Sequence, residues 1–275
     1  MSENCNGNCS SCSANCESRQ QESMLAPLNE YSRVGKVIGV VSGKGGVGKS
    51  AVTAMLATLM TRKGYKCAVL DADLTGPSIP KVFGVHGIVT SEDGEHLIPA
   101  KTAGGIDIMS INLLLESEDA PVIWRGPVIS GVIKQFWSDV IWNDIDYMFV
   151  DMPPGTGDVS LTVFQSLPLD GVVMVTTPQS LVGMIVKKSL NMARMMNIPV
   201  LGLVENMSYI TCPDCGKRID LFGKQSLESE AGELGVPVLG RLPLDPALPA
   251  LADAGRMEAF QGDWLDAAAE AIEKL

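Results

Sequence analysis

Gly43 to Ser50 reads G-x-x-x-x-G-K-S, a spacing that binds phosphate. An apolar run, Lys36–Val41, precedes it and reads as a buried strand, and Ala51–Arg62 follows with helix-forming composition. In that context the glycines let backbone N–H groups turn inward, and the helix that opens at Ala51 aims its positive end at the same point. Residues Gly43, Lys44, Gly45, Gly46, Val47, Gly48, Lys49, Ser50 and Ala51 are therefore the expected nucleotide cradle. Lys49 is placed on the β/γ-phosphates and the Ser50 hydroxyl on Mg²⁺.

Three further segments end in residues of matching chemistry. Asp71–Ala72–Asp73 closes the apolar run Lys66–Leu70, and acids at that place can orient the attacking water or support Mg²⁺. Tyr147–Val150 is another apolar strand closed by an acid, Asp151, expected to reach Mg²⁺ through water. Met152–Asp158 follows with two glycines. Gly155 is expected to bring its N–H to a γ-phosphate and Gly157 to act as a hinge, as in loops ordered by nucleotide and released after hydrolysis. Asn206, after the apolar run Val200–Val204, offers an amide for adenine edges.

Cysteines form a second chemistry. Cys212–Pro213–Asp214–Cys215–Gly216 is a knuckle that sets two sulfurs on one side. Two thiolates do not complete a tetrahedral site, but two copies related by a twofold axis supply four. A C-x-x-C redox pair is the alternative, although no helix N-terminus is expected there to lower the thiol pKa. Cys5, Cys9, Cys12 and Cys16 lie in a polar arm with spacing C-x3-C-x2-C-x3-C. Four thiolates there can hold an iron–sulfur cluster or zinc, or remain free. Cys67 begins an apolar strand and reads as a core residue.

Lys44 adds a second lysine, K-G-G-V-G-K-S, which is the deviant Walker A signature. The chain so resembles the group of MinD, ParA and the nitrogenase iron protein. That resemblance implies an ATP-sandwiched homodimer in which Lys44 reaches the partner's nucleotide and Asp73 activates water, with Asp71 supporting the magnesium shell. Over about residues 36–260 the chain closely resembles the Mrp/ApbC family of P-loop iron–sulfur carrier ATPases. The match rests on K-G-G-V-G-K-S, D-A-D-L-T-G-P-S-I-P, D-M-P-P-G-T-G-D, E-N-M-S-Y and C-P-D-C-G. The family implies a [4Fe–4S] cluster bridged by Cys212 and Cys215 of each subunit and handed to apo-proteins. It also implies an adenine-side segment at Arg241–Asp245, with Pro243 and Asp245 as contacts. Family members with an N-terminal four-cysteine cluster usually space it more widely than this arm does. Two rival readings are a MinD/ParA-like positioning ATPase and cysteines that hold structural zinc.

The elements that must position these residues alternate strand and helix, which predicts a doubly wound, mainly parallel α/β sheet with helices on both faces. Further strands are expected at Ile106–Ile111, Gly171–Thr176 and Pro237–Arg241. Helices are expected at Pro127–Ile141 and Gln179–Asn197, the latter with an apolar face near Leu181, Ile185, Leu190 and Met192. Residues 1–23 read as a Cys-rich arm, 24–35 as a linker and 36–275 as the ATPase domain.

The 275 residues carry a formal charge of −11, 46% hydrophobic and 5% aromatic residues. Such a field repels nucleic acid and anionic lipid. The polar start is no signal peptide, no run is long enough to cross a bilayer, and a cytoplasmic protein is expected. His86 and His96 read as surface residues, and Trp124, Trp137 and Trp142 as packing anchors. Trp264–Leu275 reads as a docked amphipathic helix, with Trp264, Ala268, Ile272 and Leu275 on one face.

Overall fold

The computed structural model describes residues 25–74, 76–91, 94–115, 126–178, 182–220 and 227–275. The arm with Cys5, Cys9, Cys12 and Cys16 lies outside them, as do Trp124 and Leu181. The strands are β1 (Val34–Ser42), β2 (Cys67–Asp71), β3 (Ala100–Lys101), β4 (Asp107–Met109), β5 (Ile145–Asp151), β6 (Gly171–Thr176), β7 (Val200–Thr211), β8 (Arg218–Ile219) and β9 (Val238–Pro243). The helices are α1 (Lys49–Arg62), α2 (Ile79–Phe83), α3 (Gly126–Ser138), α4 (Asp158–Ser166), α5 (Val182–Met195), α6 (Leu227–Leu234), α7 (Ala247–Asp253) and α8 (Asp266–Glu273).

Strand order is β3-β4-β2-β5-β1-β6-β7-β8, with β9 also on β7. All pairs are parallel except β3 with β4 and β8 with β7. The central strands are buried on both faces, as apolar runs without polar alternation require. In β1, Val37 and Val41 face one apolar core, under α3, α4, α5 and α6. Ile38 and Val40 face the other, under α1, α2, α7 and α8. After β1 the chain passes to β2 on one side and later to β6 on the other, so the loop after β1 sits where the order reverses, the usual ligand crevice of such sheets.

Several boundaries depart from the sequence expectation. α3 stops at Ser138, three residues before Ile141. The Asn29 side-chain amide donates to the Ser138 and Val140 carbonyls, at 2.8 Å each, and satisfies the helix end. Residues 25–33 are packed there too, with the Trp137 indole donating to the Ala26 carbonyl. The expected strand Ile106–Ile111 is only Asp107–Met109, because a 3-10 turn at Ile111–Leu113 takes its end. β7 continues seven residues past Val204, since buried Glu205 and Asn206 find polar partners instead of ending the strand. α8 docks on β7, β9 and α1 through Ala268, Ala269 and Ile272. Leu275 is 37% exposed and does not join that face.

His86 is exposed and His96 packs edge-on against Tyr31. Trp137 and Trp142 are buried anchors. Among the described residues no helix is long and apolar enough to cross a membrane. Cys67 is a core residue, and burial pushes its thiol up to about 11. Iodoacetamide at pH 8 should therefore label Cys212 and Cys215 in the native protein and spare Cys67 until unfolding, as read by peptide mass spectrometry. Labelling of native Cys67 at a comparable rate would contradict this.

Candidate functional site

The carboxyl ends of β1, β2 and β5 converge on a cleft of about 320 Å³ lined by Lys44, Gly45, Gly46, Gly48, Lys49, Ser50, Ala51, Asp73 and Pro154 among others. α1 starts in this cleft with Gly48 at its N-cap and no side-chain cap. Its first N–H groups are thus left for an anion.

Lys49 is the centre of the charge network. Its side chain is 6% exposed, and Nζ lies 2.7 Å from Asp151 Oδ1 and 3.8 Å from Asp73 Oδ2. None of these contacts is aligned as a hydrogen bond, so among the described residues the buried ammonium keeps donors that a phosphate would fill. The fully buried Asp151 accepts from Ser50 Oγ at 2.6 Å and from Thr53 Oγ1 at 2.8 Å. Thr53 was not expected from the sequence. It sits one turn beyond Lys49, so its single hydroxyl proton, shared between the Lys49 carbonyl and Asp151, ties the helix to that acid. The signal was available: a hydroxyl four residues after the motif lysine lies on the same helix face.

Asp71, expected in a magnesium shell, is fully buried and bonded to the turn that follows β2. It does not line the cleft. Oδ1 accepts from the Asp73 N–H at 3.2 Å, while Oδ2 accepts from the Ser78 and Ile79 N–H groups and from Ser110 Oγ at 3.0 Å. It therefore holds the turn that carries Asp73. Burial first, and then the Asp151 carboxylate, push its carboxyl up to about 7.

Two residues expected to touch nucleotide are also bonded to the protein. The Gly155 N–H donates to the Ser42 carbonyl at 2.9 Å, because a positive φ of 83° lays this turn against the start of the phosphate loop. The Asn206 amide donates to the Val47 carbonyl at 2.9 Å rather than pointing to a base. Asn206 is buried directly against Gly48, where an added Cβ would come within 2.2 Å of its Nδ2. Gly48 also has φ +79°. A Gly48→Ala variant should therefore lose about 1–3 kcal/mol. Thermal melting and nucleotide titration would show a lower Tm and weaker binding; an unchanged melt would contradict the packing. Pro243 and Asp245 do not line the cleft: Pro243 ends β9 opposite Tyr209, and Asp245 accepts from the Ala247 N–H at the start of α7.

The cysteine knuckle caps a hairpin at the far end of β7. Ile210 and Thr211 pair with Ile219 and Arg218, the Cys212 N–H donates to the Lys217 carbonyl, and the Gly216 N–H donates to the Cys212 carbonyl. Arg218 stacks on Tyr209 at 3.9 Å. Both thiols are free, Cys212 half-buried and Cys215 exposed. Hydrogen bonds from the Cys215 and Asp214 backbone, and from the Cys215 side chain, lower the Cys212 pKa. The tight turn thus supplies the N–H donors for which the sequence offered no helix. Among the described residues no group of three or more His, Cys, Asp or Glu is arranged to hold a metal.

A family model described as "ParA: NUBPL iron-transfer P-loop NTPase" matches residues 33–275. An "Iron-sulfur cluster carrier protein" of Clostridium perfringens is 46% identical over 269 residues, 92% of this chain and 94% of the relative. A "Cytosolic Fe-S cluster assembly factor CFD1" of Candida glabrata is 42% identical over 227 residues, 80% of each. A solved nucleotide-binding protein from Archaeoglobus fulgidus, in complex with ADP, superposes with a TM-score of 0.76 at 43% identity, over 84% of this chain and 90% of that one. The cell division ATPase MinD of Pyrococcus furiosus shares the fold, with a TM-score of 0.64 at 21% identity over 87% and 99% of the two chains.

Proposed function

Because the chain belongs to the NUBPL-type iron-transfer P-loop NTPases of the ParA group, we propose that it is an ATP-hydrolysing carrier of iron–sulfur clusters. The cargo is a [4Fe–4S] cluster held on a homodimer by Cys212 and Cys215 of each subunit and passed to apo-proteins. The observation that carries this reading is the coexistence, on one sheet, of a phosphate cleft and an exposed two-thiol knuckle that supplies only half of a four-thiolate set. A second copy would complete the set, and Lys44, which lines the cleft, is the residue we assign to the nucleotide of that copy. The ADP complex of the Archaeoglobus fulgidus relative and the carrier names of the others support the two halves of the reading. The cytosolic name of the Candida glabrata relative supports a cytosolic location.

In hydrolysis, water attacks the γ-phosphorus of ATP and ADP leaves. Lys49 turns its ammonium from Asp151 to the β/γ-oxygens and offsets the charge that builds there. Asp73, held by Asp71, orients the water and takes its proton. The Ser50 hydroxyl and Asp151 carboxylate are hard oxygen donors already 2.6 Å apart, a set that fits Mg²⁺. When bound, the ion supplies further neutralisation of the phosphates.

The test is transfer itself. The protein, loaded with cluster under anaerobic conditions, is mixed with an apo-dehydratase whose activity needs [4Fe–4S]. Activation that follows carrier concentration is expected. A loaded carrier that leaves the acceptor inactive would remove the carrier reading while leaving an ATPase.

A further inference from the structure

One strand physically joins the two chemistries. Asn206 on β7 is bonded to the phosphate loop at the Val47 carbonyl, and Cys212 follows six residues later on the same strand's hairpin. The switch-like segment 152–158 instead leads into α4, which packs on α3.

Between those two points β7 is kinked. Asn206 Oδ1 accepts from the Met207 N–H at 2.9 Å, and Met207 has φ +55°, a left-handed conformation rare for a side-chain-bearing residue. The β7–β9 register breaks between Glu205 and Tyr209 at the same place. Charged and polar groups fix the kink: the buried Glu205 carboxylate accepts from Ser208 Oγ, and Arg241 lies 3.9 Å from Glu205 and 2.6 Å from Glu228. Beyond the kink, the Tyr209 carbonyl accepts from the Leu244 N–H at 2.7 Å, and the hairpin begins.

We propose that the Asn206–Val47 bond and the Met207 kink are the mechanical link through which the state of the phosphate loop reaches the Cys212–Cys215 knuckle. This rests on the reading that the loop binds nucleotide and the knuckle binds metal. Filling the loop competes for the Asn206 amide or shifts the Val47 carbonyl. Either change frees the Asn206 side chain, whose Oδ1 accepts from the Met207 N–H and holds Met207 left-handed. A relaxed Met207 would straighten β7 and reorient the hairpin, whose Tyr209 and Ile210 follow at once. Asn206 is thus a positioning residue for the knuckle as well as a brace of the loop.

Thiol reactivity reads the link without any cluster. Iodoacetamide labelling of Cys212 and Cys215 is followed by mass spectrometry on the full chain, with and without saturating ADP or a non-hydrolysable ATP analogue. Nucleotide binding is measured separately by calorimetry. In the wild type, nucleotide is expected to change the labelling rate by about fivefold or more. Met207→Gly, for which both straight and left-handed conformations are open, should bind nucleotide yet lose most of that response. Asn206→Ala should lose it too, at nucleotide concentrations that saturate the variant. Wild-type protein that binds nucleotide without a labelling change overturns the link alone. A full response in Met207→Gly also overturns it and assigns the response to shielding by a second copy. Failure of the wild type to bind any nucleotide would instead sink the function reading together with the link.

Discussion

Lys49→Ala is expected to lower ATP turnover by about 10²–10³-fold, the usual cost of losing one preorganised charge at a transferring phosphoryl group. The same change should weaken the nucleotide-free fold. Lys49 is the cation against Asp151, which is fully buried, and against Asp73. Removing one partner of a buried pair costs about 3–5 kcal/mol when nothing else compensates. Ser50 and Thr53 still donate to Asp151, so the loss should fall at or below the lower end. Melting curves beside the hydrolysis assay separate the two effects: the variant should be folded at the assay temperature and inactive. A folded Lys49→Ala protein that hydrolyses ATP at the wild-type rate would defeat the assignment of the cleft.

The paired change Cys212→Ala and Cys215→Ala should have the opposite profile. The knuckle lies at a hairpin tip, Cys215 is exposed, and neither thiol is part of either apolar core. Stability should move little. Nucleotide binding should persist, because every residue lining the cleft is untouched. The cluster at this site should vanish, taking iron down by about two per subunit, since two thiolates per chain are all that a bridging site takes from it. Iron and sulfide measured on wild type and variant in parallel check this. Equal content in both would place the cargo elsewhere, with Cys5, Cys9, Cys12 and Cys16 the remaining thiolates outside the core.

The strands that carry these sites are legible from local pattern. Gly171–Val175 is apolar and, with Thr176, matches β6 end to end, because a strand buried on both faces needs no alternation. The phosphate loop is legible for a related reason: its glycines and lysine are fixed by backbone geometry and charge, which act within a few residues. What escapes is set by distant partners. α3 ends where Asn29, more than a hundred residues away, bonds the Ser138 carbonyl and the Val140 carbonyl just past it. β7 runs on through Glu205 because Ser208 and Arg241 accommodate a buried carboxylate, and propensity alone would stop it.

In the site the same division holds. Lys49, Ser50 and Asp151 come together as their motifs require. The Asn206 and Gly155 donors go to Val47 and Ser42, choices that depend on the fold closing around them. Asp71 and Asp73 are told apart in the sequence only by family resemblance. The structure separates them by burial: one holds a turn with four donors, and the other lines the cleft.

The most direct measurement of the central claim is iron, zinc and acid-labile sulfide per subunit on the anaerobically purified chain, with its oligomeric mass. Iron and sulfide of about two each per subunit in a dimer are expected, or about six each if the arm carries a cluster of its own. Zinc without sulfide would contradict that claim and return the Cys212–Cys215 knuckle to a structural role.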